Sequence, residues 1–149
     1  MEGGGNDAGM TPLEYLFVSL GSCMVTVGVI IARQKHLPVN KIEAYVEGEI
    51  DTDVLMGKRN DIRPGFTSIT VKMMIDGDMT YEEKEKFVKE IEARCPISDN
   101  ISNTTPVKIE VAWSNLTALR FQTIFIGMSR ADNDYLPNWD ALLKFEVYV

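Results

Sequence analysis

Two cysteines are the residues of this chain with the clearest capacity for chemistry. Cys23 lies inside the uncharged stretch Tyr15 to Ala32, and Cys95 lies in the string Ala-Arg-Cys-Pro-Ile. A pair of thiols can pass through a sulfenic acid to a disulfide and back. A free cysteine is also often buried as a small apolar side chain, so packing is the alternative interpretation of both residues.

Other kinds of catalytic centre lack the residues that they require. The chain has one histidine, His36, and no CxxC motif, so we expect no metal site and no cofactor. A serine–histidine–aspartate triad would depend on the same His36, and no GxSxG motif accompanies it. The net charge of -7 argues against nucleic acids and anionic membrane surfaces as partners.

Length and composition are those of an ordinary globular protein. The 149 residues fit one domain, 1–149, and the 45% hydrophobic and 25% charged fractions are typical of soluble proteins. Two cysteines do not make the disulfide framework of a small secreted scaffold. We therefore expect a cytoplasmic protein.

A membrane helix is the alternative interpretation of the stretch Tyr15 to Ala32. Its 18 uncharged residues reach the lower length limit for a spanning helix. The acidic Glu2 and Asp7 precede it, whereas a signal peptide begins with positive charge. A helix that is buried on most of its circumference is also apolar all round. We expect such a buried helix.

Capping signals predict two helices that carry the cysteines. Thr11, Pro12 and Glu14 form a helix start with a capping box, so a helix should run from Pro12 to about Lys35 and include Cys23. Thr80 with Glu83 starts a second helix, which delivers Cys95 at its end, where Pro96 breaks it. Alternating patterns predict the strands, at 41–51, 66–75, 107–113, 119–126 and 142–149. The predicted class is α+β with a mainly antiparallel sheet.

Residues 4–23 together with Arg-Cys-Pro-Ile at 94–97 resemble the OsmC/Ohr superfamily. Members have a Gly-rich loop, a helix start of the Pro-x-Glu-Leu kind and a cysteine about eleven residues after the proline. A second cysteine, usually followed by proline, ends a later helix. The resemblance implies an OsmC-like fold, an intertwined homodimer with long central helices. It also implies that 113–149 stand in for the strands that usually precede the loop.

The resemblance further implies a thiol-dependent peroxidase that reduces organic hydroperoxides in oxidative-stress defence. Cys23 would be the attacking thiolate and Cys95 the resolving thiol, with an external dithiol as reductant. In the family's peroxidases a glutamate directly follows the proline and pairs with an arginine near the reactive thiol. Here that glutamate is one position later, at Glu14, and Arg120 is the candidate arginine, with Arg94 and Arg33 as alternatives.

Two further interpretations stay open on sequence grounds. The chain could be a non-catalytic OsmC-like dimer that binds a small apolar ligand or a sulfur species beside redox-responsive cysteines. Both thiols could also be buried and inert. A short distance between the sulfurs and a cation near Cys23 would favour the peroxidase. A roomy apolar pocket without that cation would favour ligand binding.

Overall fold

A computed structural model of the chain describes residues 9–111. Nearly all of them belong to one compact unit, Asp7–Pro106. Its elements, in chain order, are α1 (Pro12–Lys35), β1 (Val39–Glu49), β2 (Ser68–Gly77), α2 (Tyr81–Arg94) and α3 (Pro96–Ser102). The expected α+β class is confirmed. The assignment of 1–149 to a single domain stays a prediction.

Helix α1 begins and ends where its sequence signals place it. Thr11 is the N-cap, and its hydroxyl accepts the backbone N–H of Glu14 at 3.3 Å, while its own N–H donates to the Glu14 carboxylate at 2.6 Å. His36 closes the helix in the left-handed region, with φ of 53°. The predicted bounds of the helix are therefore confirmed.

Strands β1 and β2 pair antiparallel as a two-stranded sheet. Ile42 lies opposite Ile75, Ala44 opposite Met73, and Val46 opposite Val71. Because side chains alternate along a strand, this register puts all six on the same face of the sheet. The alternation in the sequence therefore identified the apolar face, although each strand is offset by about two residues from its predicted bounds.

The core lies where α1 meets the apolar face of the sheet and α2. Its buried members are Leu20, Met24, Val27, Ile31, Phe87, Ile91 and Cys95. Two buried glycines let α1 approach its neighbours closely. A Cβ at Gly28 would lie 2.9 Å from Ile42 and 3.0 Å from Ile91, and one at Gly21 would lie 3.2 Å from Val46.

The opposite face of α1 is apolar and exposed in the single chain, so the expected burial on most of the circumference stays a prediction. Its exposed apolar residues are Tyr15, Val18, Val29 and Ile30. Within residues 9–111, α1 is the one helix long and apolar enough to cross a membrane by length and composition. Its inner face nevertheless packs against the sheet and α2, as the core helix of a folded domain does.

One local prediction is confirmed and another is wrong. Helix α2 ends at Arg94 with Cys95 as its C-cap, directly before Pro96, as predicted, and Pro96 also occupies the first turn of α3. A proline suits the first helical position because its missing N–H would have no partner there. Residues 107–111 form no strand, although alternation predicted one over 107–113. A strand needs a hydrogen-bonded neighbour, and no strand among the described residues pairs with them.

Candidate functional site

Cys23 lies in the middle of α1, at the border between its two faces. It is half-buried and packs against the core, and its neighbour in the chain, Met24, is buried. The 24-residue helix extends at least two turns to either side of it, so its backbone position is fixed by regular hydrogen bonds. The tertiary packing of α1 therefore determines where the sulfur lies.

Cys95 lies at the junction of α2 and α3 and takes part in both helix ends. Its N–H donates to the Glu92 carbonyl at 3.2 Å, and its carbonyl accepts the Asp99 N–H at 3.0 Å. Its sulfur accepts the backbone N–H of Ser98 at 3.4 Å. The residue is only 1% exposed. Cys95 thus acts as an N-cap whose sulfur takes the place of the usual side-chain oxygen.

The structure brings the two sulfurs together within one chain. Cys95 and the backbone N–H of Ile97 lie near enough to the Cys23 thiol to act on its pKa, and both cysteines pack in the same core cluster. Burial raises the pKa of Cys23 above its ordinary value of 9.0, the contact with Cys95 raises it further, and the Ile97 amide opposes the shift.

A pair of thiols in contact can do two-electron chemistry. Oxidation of one sulfur to a sulfenic acid places an electrophilic sulfur beside a second thiol, which can condense with it to form a disulfide. In the described part of the chain, none of the interactions that shift the pKa of Cys23 comes from a cation. These residues by themselves therefore hold Cys23 as a protonated thiol.

Glu14 lies away from this pair. It is nine residues before Cys23 on α1, which is about 14 Å along the helix axis. Its carboxylate accepts the Thr11 N–H, and that hydrogen bond lowers its pKa. The capping box accounts for this glutamate without a role at the sulfurs.

Of the candidate arginines, Arg94 has other partners and Arg33 lies far along α1 from Cys23. Arg94 directly precedes Cys95, but its guanidinium donates to Gln34 at 3.0 Å and pairs with Glu90 at 3.5 Å. Arg33 lies ten residues after Cys23, about 15 Å along α1. Arg120 lies outside the described residues.

Sequence reasoning missed the backbone donors of this site. The amides of Ile97 and Ser98 reach the two sulfurs because both belong to the first turn of α3, where N–H groups have no partner inside the helix. A signal was available, since Pro96 followed by polar helix-compatible residues is typical of a helix start. Among residues 9–111 no group of three or more histidine, cysteine, aspartate or glutamate side chains could hold a metal ion.

A surface groove of about 350 Å³ lies between β2 and α2, away from the cysteines. Met73, Ile75 and Val88 contribute to its apolar lining, with Lys84 and Lys89 among its charged residues. Neither cysteine lines it. The groove is therefore a separate feature from the thiol pair.

Residues 4–110 match the family model described as OsmC-like protein, so the chain belongs to the OsmC-like family. An OsmC-like protein from Mycoplasma pneumoniae aligns at 23% identity, with a TM-score of 0.56, over 63% of this chain and 63% of that chain. An OsmC-like hydroperoxide resistance protein from Jannaschia sp. aligns at 12% identity, with a TM-score of 0.55, over 74% and 71%.

A third structure, an OsmC-like protein of unknown function from Vibrio cholerae, aligns at 20% identity and a TM-score of 0.50, over 62% of this chain and 59% of that chain. The chain thus spans somewhat less than two thirds of the Mycoplasma and Vibrio structures. At these identities the likeness concerns the fold. No curated protein matches the sequence.

Proposed function

We propose that this chain is a thiol-dependent peroxidase that reduces organic hydroperoxides, in defence against oxidative stress. The observation that carries the proposal is that Cys23 and Cys95 lie near each other, packed in the same core cluster, with Cys95 acting on the pKa of Cys23. Two thiols held together by separate helices have the arrangement that a peroxide-reducing disulfide cycle requires. The fold likeness to a hydroperoxide resistance protein adds support.

The proposed cycle begins at Cys23, because Cys95 is almost completely buried. The Cys23 thiolate attacks one oxygen of the hydroperoxide, the O–O bond breaks, and the alcohol leaves after taking a proton. Cys23 is then a sulfenic acid. The Cys95 sulfur attacks it, water leaves, and the disulfide forms. An external dithiol returns two electrons and two protons.

The surroundings of Cys23 favour an apolar peroxide as substrate. Cys23 packs against a core cluster of aliphatic and aromatic residues that includes Met24, Phe87 and Ile91. Desolvation of an apolar hydroperoxide in such a setting is favourable, whereas hydrogen peroxide would lose hydrogen bonds to water. A cytoplasmic location is part of the proposal, since reduced thiols persist in reducing compartments.

Efficient turnover requires a cation that lowers the pKa of Cys23, because the thiolate is the nucleophile. Burial raises that pKa, and the residues of α1, α2 and α3 supply no opposing charge. We propose Arg120 as the group that supplies this charge. Glu14, held in its capping box, is a weaker candidate for a role at the site.

We also propose that the protein is a homodimer in which the exposed apolar face of α1 is covered by a second copy. Tyr15, Val18 and Ile30 are between 43% and 51% exposed on that face. Burying such surface contributes about 25 cal/mol per Å². Sedimentation analysis at micromolar concentration should give twice the chain mass of 16.7 kDa. A monomer mass under these conditions would contradict the dimer.

A second candidate function is favoured by the raised pKa of Cys23. A thiol that stays protonated reacts slowly with peroxides. The chain would then be a non-catalytic OsmC-like dimer that binds a small apolar ligand or a sulfur species, and its cysteines would only respond to redox conditions. The two candidates differ in whether substoichiometric protein consumes hydroperoxide continuously when a dithiol is supplied.

The deciding experiment is a titration of free thiols before and after one equivalent of cumene hydroperoxide. The peroxidase should lose both thiols and release one equivalent of cumyl alcohol, because one peroxide oxidises one pair. Hydrogen peroxide at the same concentration serves as the matched oxidant and should act more slowly. Retention of two free thiols per chain would contradict the peroxidase and favour the ligand-binding candidate.

A further inference from the structure

The groove between β2 and α2 is a separate binding site from the thiol pair. Its volume of about 350 Å³ is at the lower end of the range of small-ligand pockets, which is about 300–1,000 Å³. We propose that this groove binds a fatty acid of medium chain length, with the alkyl chain on the apolar floor and the carboxylate at Lys84. Neither cysteine and no residue of α1 lines the groove, so the proposal depends neither on the peroxidase nor on the face that the dimer would cover.

The floor of the groove is apolar and elongated. Met73 and Ile75 are two residues apart on β2, so they lie on the same side of the strand, about 7 Å apart along it. Val88 lines the groove from α2, and all three side chains are only half-buried. The lining residues of α2 extend from Tyr81 to Lys89, about 12 Å along the helix axis. An unbranched alkyl chain fits this shape and would remove the half-buried apolar surface from water.

The charge of the groove differs in sign from that of the chain as a whole. Lys84 and Lys89 line it together with one carboxylate, that of Glu85, whereas the chain has a net charge of -7. In the part of the chain that the structure describes, neither of these lysines forms an ion pair, although Lys35 and Lys72 each do. The groove therefore offers positive charge that no protein carboxylate neutralises within the described residues, which favours an anionic ligand.

Lys84 is better placed than Lys89 to hold the carboxylate. It is half-buried, whereas Lys89 is exposed. It lies four residues before Val88, so the two side chains are neighbours on one face of α2. Water weakens a charge pair less beside an apolar surface than in full solvent. The arrangement therefore recognises an anionic head and an apolar tail together, and it disfavours an amphiphile with a cationic head.

The first test is an NMR titration of the full-length protein with decanoate, below the concentration at which it forms micelles. Decanoate has no peroxide group, so its binding does not report on the thiols. Backbone amide shifts should saturate and should be largest at residues 73–75 and 81–89. Decyltrimethylammonium, with the same chain length and the opposite charge, should bind roughly tenfold more weakly. No saturable binding, equal affinity for the two amphiphiles, or shifts centred on Cys23 would overturn the proposal.

Two matched variants of α2 test the role of Lys84. Lys84→Gln and Lys86→Gln each remove one positive charge from the same helix, but Lys86 is exposed and does not line the groove. Lys84→Gln should weaken decanoate binding about fivefold, and Lys86→Gln should leave it within roughly twofold of wild type. Circular dichroism checks that both variants fold. Equal weakening in both variants, or none in either, would overturn the proposal, and the shift mapping on the wild-type protein tests the site if a variant fails to fold.

Discussion

The middle of α1 and the α2–α3 junction hold one sulfur each, and they hold it differently. Around Cys23 the backbone is a continuous helix, and glycines on the same helix pack within van der Waals distance of β1 and α2. Around Cys95 two short helices meet, and the residue itself supplies the cap of one of them. A sulfur in a continuous helix has a fixed position, whereas a sulfur between helices can shift by a change at one junction. In the proposed cycle the half-buried, fixed sulfur of Cys23 attacks and the buried sulfur of Cys95 resolves.

The largest expected effect separates the two sulfurs by substitution. Cys23→Ser should lower hydroperoxide consumption by roughly a hundredfold or more, because it removes the proposed nucleophile. Cys95→Ser should consume one equivalent and then stall as a sulfenic acid, because no thiol is left to condense with it. Peroxide consumption with excess dithiothreitol, together with dimedone labelling, measures both outcomes. Wild-type turnover by the Cys23→Ser protein would contradict the proposal that Cys23 is the attacking thiol.

A smaller effect concerns the charge state of Cys23. Cys95→Ala leaves Cys23 as the one thiol, and burial, the largest cause of its raised pKa, is retained. The thiolate fraction should then grow about tenfold per pH unit from pH 7 to at least the ordinary value of 9.0. The rate of alkylation by iodoacetamide, compared with glutathione over the same range, measures this. A rate that levels off near pH 7 would show that a cation outside the described residues, such as Arg120, acts on Cys23.

The smallest effect tests the close packing that fixes α1. Gly28→Val places carbon atoms where Ile42 and Ile91 already lie, so the free energy of unfolding should fall by about 1–3 kcal/mol. Thr26→Val introduces the same side chain two residues earlier, at an exposed position, and should change stability by no more than about 0.5 kcal/mol. Urea denaturation measures both. Equal stabilities would mean that the inner face of α1 yields easily to added volume.

Local signals in the sequence predicted much of the framework around the site. The capping boxes at Thr11 and Thr80 are both formed as expected, since each depends on side chains only three residues apart. Alternation identified the apolar sides of β1 and β2, because a period of two depends on the strand alone. The resemblance of residues 4–23 and 94–97 to the OsmC/Ohr superfamily led to the correct family. The strand predicted over 107–113 was wrong within the described residues, because pairing depends on a partner elsewhere.

The sequence by itself determined that two helices carry Cys23 and Cys95, because caps, prolines and periodicity act over a few residues. Only the tertiary structure decided that the two cysteines come together within one chain, since this depends on how α1 packs against the α2–α3 junction. It also decided that Cys95 is buried and that Cys23 is half-buried. The amides of Ile97 and Ser98 lie near the two sulfurs through the same packing. The start of α3 at Pro96 could be predicted from the sequence, but the acceptor of each amide could not, because every residue except proline carries the same backbone N–H.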